Sequence, residues 1–157
     1  MTELHSTHSL LAAADLEAVR HASVVTGRYI DFRPELGVGV RITRGGPEKY
    51  RWWNQSTGLV MGPKWWQPSY SEFREEDDAV GEASYYARMD SDPATQLGRL
   101  AQLVTNHAGR RLVLLCYENV HRGECCHRRW LAEWFWSRWQ IEIPELPPAR
   151  QDPYGGC

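Results

Sequence analysis

The sequence lacks the features of a membrane or secreted protein. No apolar run approaches the roughly 18 residues that a membrane-spanning helix needs, and the first residues, MTELHSTHSL, contain no basic region followed by the long apolar segment of a secretory signal. Neither sign of charge dominates, because 18 Lys and Arg residues face 20 Asp and Glu residues. We therefore expect a cytoplasmic protein with no membrane partner and no global positive field that would attract nucleic acid.

Cysteine is scarce, whereas tryptophan is abundant. The four cysteines are Cys116, Cys125, Cys126 and Cys157. In a reducing compartment, three clustered cysteines indicate thiol or metal chemistry and not a disulfide framework. The eight tryptophans include two adjacent pairs, Trp52-Trp53 and Trp65-Trp66. The clustered cysteines and the paired tryptophans are therefore the two candidate sources of a function in this sequence.

The length of 157 residues fits a single domain. We predict one compact domain over residues 1–147 and a Pro/Gly-rich tail over residues 148–157. Runs of β-branched and aromatic residues predict strands at 22–30 and 38–43. The continuous apolar run at 111–118 predicts a central strand that is buried on both faces, and 141–146 predicts a last strand.

Helix signals lie between these strands. Ser71 predicts the start of a helix that continues to about Met89. Asp92 and Pro93 predict a second helix, and its apolar residues recur with helical spacing up to Gly109. A third helix follows from Cys126, whereas residues 45–70 predict irregular structure. This alternation indicates an α/β fold, with a mainly parallel sheet and flanking helices.

Residues with chemically active side chains are densest between the predicted central strand and the helix after it. Residues 116–128 read CYENVHRGECCHR. In open α/β sheets, ligands bind where a strand ends and the next helix begins. The sequence therefore predicts a ligand site in this segment.

Two segments resemble the family called domain of unknown function 488. One is LVLLCYENVHRGECCHRRWLAEW, with Cys-x-Glu at the strand end and Cys-His-Arg at the helix start, and the other is VVTGRYIDFRPELGVGVRITRGGP. The resemblance implies a compact α/β protein and no settled biochemical role. The positions that match its motifs are Arg44, Cys116, Glu118, Cys126, His127 and Arg128.

The leading functional interpretation of the local chemistry is a thiol site centred on Cys126. A cysteine in the first turn of a helix lies at the positive end of the helix dipole, which stabilises a thiolate. His127 can then serve as a general acid or base, and Glu118, one pleat beyond Cys116, can orient a basic partner or take a proton. We predict these four residues as catalytic.

Arg44 and Arg128 are predicted to bind ligand. Arg128 and the helix N-terminus can hold a phosphate or carboxylate group. We therefore predict an anionic small molecule, such as a nucleotide, as the ligand, whereas the cofactor cannot be named from the sequence. The competing interpretation is structural: Cys116 and Cys126 are small buried packing residues, and Arg128 pairs with Glu118.

Two further interpretations of the cysteines are less favoured. Cys116, Cys125 or Cys126 could bind zinc together with His121 or His127, but adjacent cysteines diverge at a helix start and no second Cys/His pair exists elsewhere. We therefore predict no metal site. The spacing from Cys116 to Arg122 matches the loop of cysteine-dependent phosphatases, but this loop has no glycine between them and carries Glu118.

The paired tryptophans support a different class of function. Together with Lys49, Arg51 and Lys64 they could stack on bases, which makes a non-catalytic nucleic-acid or protein interaction module the alternative to a thiol-dependent enzyme. The simpler expectation is that one tryptophan of each pair packs into the core and the other lies on the surface.

Overall fold

The computed structural model of the chain describes residues 2–44, 59–69, 71–72, 77–118, 120 and 123–148, and only the backbone of residues 2–10. Within these residues the helices are α1 (Thr2–Arg20), α2 (Asp78–Met89), α3 (Pro93–Asn106) and α4 (His127–Trp139). The strands are β1 (Val24–Arg28), β2 (Val38–Arg41), β3 (Val60–Met61) and β4 (Leu112–Cys116).

The described strands form one parallel sheet in the order β1-β4-β2-β3. Strand β4 is central, and all five of its residues are buried, as its continuous apolar sequence predicts. Because the strands are parallel, β1, β2 and β4 all end at the same edge of the sheet. The α/β fold with a parallel sheet is therefore confirmed. Among the described residues, no helix combines the length and the apolar character that crossing a membrane requires.

The two faces of the sheet are covered differently. One face packs against side chains from all the helices named above, and its strand residues include Val40, Leu112 and Leu114. The other face carries Val113 and Leu115, which pack against Tyr29, Phe32 and Leu36 from the short turns between β1 and β2. Alternation along β4 therefore directs Leu112, Leu114 and Cys116 toward the helices.

Side-chain caps fix the starts of two helices. Asp92 accepts a hydrogen bond from the Thr95 backbone N–H at 3.3 Å, and Pro93 is the first helical residue, as predicted for α3. In α2 the cap is Asp77, which accepts from the Ala79 N–H at 2.9 Å. Residues 71 and 72 are helical too, but α2 itself begins after Asp77 and not at Ser71.

Three elements differ from the sequence prediction. The segment 141–146 forms no strand and pairs with β1 through a single bridge, Thr26 to Glu145, because Pro144 has no N–H to donate to a ladder. Helix α1 was not predicted, since its polar residues are interspersed among the apolar ones that face α3. Strand β3 lies in the stretch predicted as irregular, and with two residues it is too short to produce a periodic signal.

Candidate functional site

The site is built where β4 ends and α4 begins. Cys116 is the last residue of β4 and is 1% exposed, and Cys126 occupies the cap position before His127, with extended backbone angles (φ −147°, ψ 133°). This confirms that Cys116 ends a buried strand and that residues 126–128 begin a helix. A two-residue step from Cys116 brings Glu118 to the same side of the chain, and the helix start faces it.

Four of the predicted residues meet in one cluster. Glu118 Oε2 lies 2.6 Å from Cys116 Sγ and 3.1 Å from Cys126 Sγ. His127 Nδ1 lies 3.5 Å from Cys116 Sγ. One donor atom from each of Cys116, Glu118, Cys126 and His127 lies within 4.8 Å of all the others. We name this set the Cys-Glu-Cys-His cluster. Cys125 does not belong to it.

A backbone carbonyl sets the protonation of His127. Its Nε2 lies 2.8 Å from the Ile42 carbonyl oxygen, just beyond the end of β2. Because a carbonyl only accepts hydrogen bonds, Nε2 carries a proton, and Nδ1 is the nitrogen that faces the two sulfurs. The neutral ring therefore presents a lone pair to the cluster, and the charged ring presents an N–H.

Arg128 is fully buried beside the cluster. Its guanidinium donates to both carboxylate oxygens of Glu145, with Nη2 2.7 Å from Oε1. Nη1 donates to the Glu118 carbonyl oxygen at 2.8 Å and to Cys126 Sγ at 3.2 Å. The pairing of Arg128 with the Glu118 side chain in the structural interpretation is therefore replaced by a pair with Glu145 and a bond to the Glu118 backbone.

The surroundings lower the pKa of Cys126 and raise that of His127, which favours a thiolate–imidazolium pair. Burial alone raises the pKa of Cys126, but hydrogen bonds with Cys116 and His127 and the positive charges of His127 and Arg128 lower it to about 6. Burial alone lowers the pKa of His127, whereas contact with Cys126 and with the Ile42 carbonyl raises it above its ordinary value. Thiolate and imidazolium therefore stabilise each other.

The pKa values of the other two members of the cluster, Cys116 and Glu118, shift in opposite directions. Burial raises the pKa of Cys116 well above its ordinary value, and the neighbouring Cys126 and Glu118 raise it further. Burial alone also raises the pKa of Glu118, but the hydrogen bond from the Cys116 thiol, the bond from Cys126 while that residue is protonated, and the positive charge of His127 outweigh it and leave this pKa below its ordinary value. Cys116 is therefore a thiol donor to an ionised Glu118.

A small depression of about 110 Å³ opens beside the cluster. Its walls come from the cluster, from Cys125 and α4 next to it, from α2 and from the chain before α2, and they are Pro68, Glu72, Asp78, Gly81, Glu118, Cys125, Cys126, His127 and Trp130. Three of the four cluster residues therefore line a space that a small molecule can enter.

The two predicted ligand-binding arginines are placed differently. Arg44 is exposed, and its Nε donates to the Pro68 carbonyl oxygen at 2.9 Å, so it is tied to a residue of the depression wall. Arg128 is enclosed by Glu145, Glu118 and Cys126. Neither guanidinium lines the depression itself, and the ligand-binding role of both arginines stays a prediction.

Sequence reasoning missed the partners that come from far along the chain. Glu145 accepts from Arg128 and from Thr26 Oγ1, and the Ile42 carbonyl accepts from His127. The one available signal was the charge of Glu145, which lies between Pro144 and Leu146-Pro147. His121, Cys157 and the pair Trp52-Trp53 lie outside the described residues. In the second pair Trp66 is 0% exposed and Trp65 44% exposed, which confirms that one member is in the core and the other on the surface.

Comparison with known proteins gives the chain a family. Searches of curated proteins and of solved structures gave no match to the chain. The sequence model of one family, described as domain of unknown function DUF488, matches residues 43–135. The matched segment contains Arg44, the whole Cys-Glu-Cys-His cluster and Arg128, but not Glu145. Since it covers more than half of the chain, this protein belongs to the DUF488 family.

Proposed function

We propose that the chain is a thiol-dependent enzyme in which Cys126 and His127 act on a small anionic molecule bound in the depression beside α4. The observation that carries this proposal is the position of Cys126 Sγ. The sulfur lies at the cap of a helix, 3.2 Å from Arg128 Nη1, and at the wall of the depression. A helix N-terminus and a neighbouring cation are the surroundings that turn a cysteine into a nucleophile.

The residues of the cluster divide the work. His127 takes the thiol proton of Cys126, and its orientation is fixed by the Ile42 carbonyl. The Cys126 sulfur then forms a bond to an electrophilic atom of the substrate, and the electron pair of the broken bond departs with the leaving group, which His127 protonates. Glu118 stabilises the imidazolium, and Cys116 orients Glu118 through their hydrogen bond.

The ligand class follows from size and charge. A depression of about 110 Å³ is smaller than the roughly 300–1,000 Å³ of a site that encloses a drug-sized ligand. A small molecule fits, and a nucleotide would insert only one group. The N-terminus of α4 favours a negative charge at that group, and the exposed Arg44 is held next to Pro68 at the rim.

The alternative function is a non-catalytic interaction module that uses the tryptophan-rich region. It is supported by Trp65, which is 44% exposed and follows Lys64. A single exposed indole is common on protein surfaces. The thiol proposal is favoured because several independent contacts converge on Cys126.

The test is the rate at which Cys126 reacts with iodoacetamide and with iodoacetate at pH 7, followed by peptide mass spectrometry of chelator-treated protein. We expect Cys126 to react faster than the half-buried Cys125, whose pKa burial raises. Cys125→Ser is the matched control and leaves the rate at Cys126 unchanged. A Cys126 that reacts no faster than Cys125 rejects the nucleophile.

The charge preference has its own control. If the site prefers anions, the ratio of the iodoacetate rate to the iodoacetamide rate should be higher at Cys126 than at Cys125. Arg44→Gln should lower this ratio at Cys126. An unchanged ratio in Arg44→Gln removes Arg44 from the ligand site and leaves the thiol proposal standing.

A further inference from the structure

We infer that Cys116, Glu118, Cys126 and His127 bind one zinc ion. This inference uses the residues of the proposed thiol site but does not depend on their catalytic role. A metal on the Cys126 sulfur would cap the nucleophile, so that zinc is a regulator of the proposed activity if both proposals hold.

The first argument is the geometry of the donor atoms. Zinc is bound by thiolate sulfur, imidazole nitrogen and carboxylate oxygen, usually four in a tetrahedron, with bonds of about 2.0–2.3 Å and therefore about 3.3–3.8 Å between donors. Glu118 Oε2 lies 2.6 and 3.1 Å from the two sulfurs, and His127 Nδ1 lies 3.5 Å from Cys116 Sγ. With all four donors within 4.8 Å of one another, small side-chain shifts complete a tetrahedron.

The second argument is that groups outside the ligand set fix the orientation of the ligands through hydrogen bonds. The bond from His127 Nε2 to the Ile42 carbonyl leaves the Nδ1 lone pair directed at the sulfurs, and such outer partners are typical of metal-bound histidine. Arg128 Nη1 contacts Cys126 Sγ and the Glu118 carbonyl oxygen together. The donor atoms are thus positioned by contacts that involve no metal.

The third argument is rigidity and burial. Cys116 closes the central strand, and Cys126 and His127 open α4, so three ligands are attached to regular elements. Their exposures are 1%, 4% and 6%, whereas Glu118 is half-buried and lines the depression. Glu118 is therefore the most exposed of the four ligands and the one that water or a substrate can displace.

Charge and ligand softness select the ion. Two thiolates and one carboxylate carry three negative charges, so that a bound divalent cation leaves a net charge of −1. The guanidinium of Arg128, 3.2 Å from the Cys126 sulfur, lies close enough to balance that remaining charge. Sulfur ligands favour zinc and disfavour magnesium and calcium, which prefer all-oxygen sites. The earlier objection that adjacent cysteines diverge applies to Cys125 and Cys126, whereas this set joins Cys116 to Cys126.

The experiment is titration of the chelator-stripped full chain with cobalt(II) and then with zinc(II). We expect one equivalent of cobalt to produce near-ultraviolet thiolate-to-cobalt charge-transfer bands and intense tetrahedral d–d bands, which one equivalent of zinc removes. This readout needs no variant. Magnesium at the same concentration leaves the spectrum unchanged. A wild-type chain that gives no thiolate bands overturns the inference.

Variants locate the site. Cys116→Ser, Cys126→Ser and His127→Ala should each weaken zinc binding by more than the roughly 10- to 100-fold that loss of an outer partner costs. The double variant Cys125→Ser/Cys157→Ser is the control and should bind like the wild type. Loss of binding in that control overturns the assignment. Circular dichroism of each stripped variant separates a lost ligand from a lost fold.

The two proposals fail separately. Fast iodoacetamide labelling of Cys126 in the stripped chain tests the thiol function alone, and the cobalt spectrum tests the metal alone. If both hold, one equivalent of zinc slows labelling at Cys126 at least about 10-fold. Zinc binding without fast labelling of the stripped chain leaves a metal site and rejects the nucleophile, whereas the reverse rejects the metal.

Discussion

Two arginine–glutamate pairs flank the cluster, and they differ in burial and in what else they touch. Arg128 of α4 is 0% exposed and holds Glu145, while Arg88 of α2 is 22% exposed and holds Glu72. Each guanidinium also donates to backbone carbonyls: Arg128 to that of Glu118, and Arg88 to those of Trp65 and Gln67. Each arginine therefore fastens a loop to a helix at one wall of the depression.

The difference is that Arg128 alone contacts a reactive sulfur. Arg88 Nε and Nη2 lie 3.1 Å from the two Glu72 oxygens, and its guanidinium lies 5.0 Å from the centre of the Tyr85 ring. Arg128 has the same kind of partners and adds Cys126 Sγ. The two clamps are thus alike in what they fasten, and they differ in that Arg128 also lowers the pKa of Cys126.

The largest effect is expected from Arg128→Met. Removing one member of a buried ion pair leaves the carboxylate of Glu145 without its closest charge partner and should lower the free energy of unfolding by about 3–5 kcal/mol. Urea denaturation measures this loss. In the folded fraction, iodoacetamide labelling of Cys126 should slow, because the guanidinium no longer stabilises the thiolate.

The matched control is the neighbouring Arg129. Its side chain is 30% exposed and lies 4.0 Å from Glu145, and it donates to Thr26 Oγ1 and to the Ile143 carbonyl oxygen at 2.9 Å each. Arg129→Met should cost about 1–2 kcal/mol and leave labelling of Cys126 unchanged. Equal losses in both variants would mean that burial of Arg128 does not distinguish the two residues.

Arg88→Met should have a smaller effect on stability and none on chemistry. Its guanidinium is partly hydrated, so we expect a loss of about 2 kcal/mol from its charge-assisted bonds. Labelling of Cys126 and the affinity for zinc should match the wild type in the folded protein. If labelling slows as much as in Arg128→Met, the proposed difference between the two clamps is wrong.

Much of this arrangement is encoded locally and was predictable. The apolar run of β4, the Asp92-Pro93 helix start and the Cys-His-Arg segment each carry their signal within a few residues, and the carboxyl-end rule places a ligand site between them. The sequence alone therefore predicts Cys116, Glu118, Cys126 and His127 as members of one site.

The rest depends on contacts that link distant parts of the chain. The Ile42 carbonyl is 85 positions from His127, and Glu145 is 119 positions from Thr26. Side-chain patterns do not indicate which backbone carbonyl a histidine will contact. A single glutamate likewise does not indicate which arginine it will pair with. The sequence displays adjacent cysteines, whereas the fold brings together Cys116 and Cys126, which are ten positions apart, on β4 and before α4.

The smallest expected effect is on the pH dependence of folding stability, through Glu72, the partner of Arg88. Burial alone raises the pKa of Glu72, but hydrogen bonds from Arg88 and Ser69 lower it below its ordinary value of 4.5. Ionised Glu72 therefore stabilises the fold fully above that pH, and this contribution is lost as the pH falls through the folded-state pKa. The urea midpoint of the wild type should thus fall more steeply on the acidic side of pH 4.5 than that of Glu72→Gln, and the two curves should run parallel near neutrality. Parallel curves over the whole range would show that the contacts of Arg88 do not favour the ionised form of Glu72.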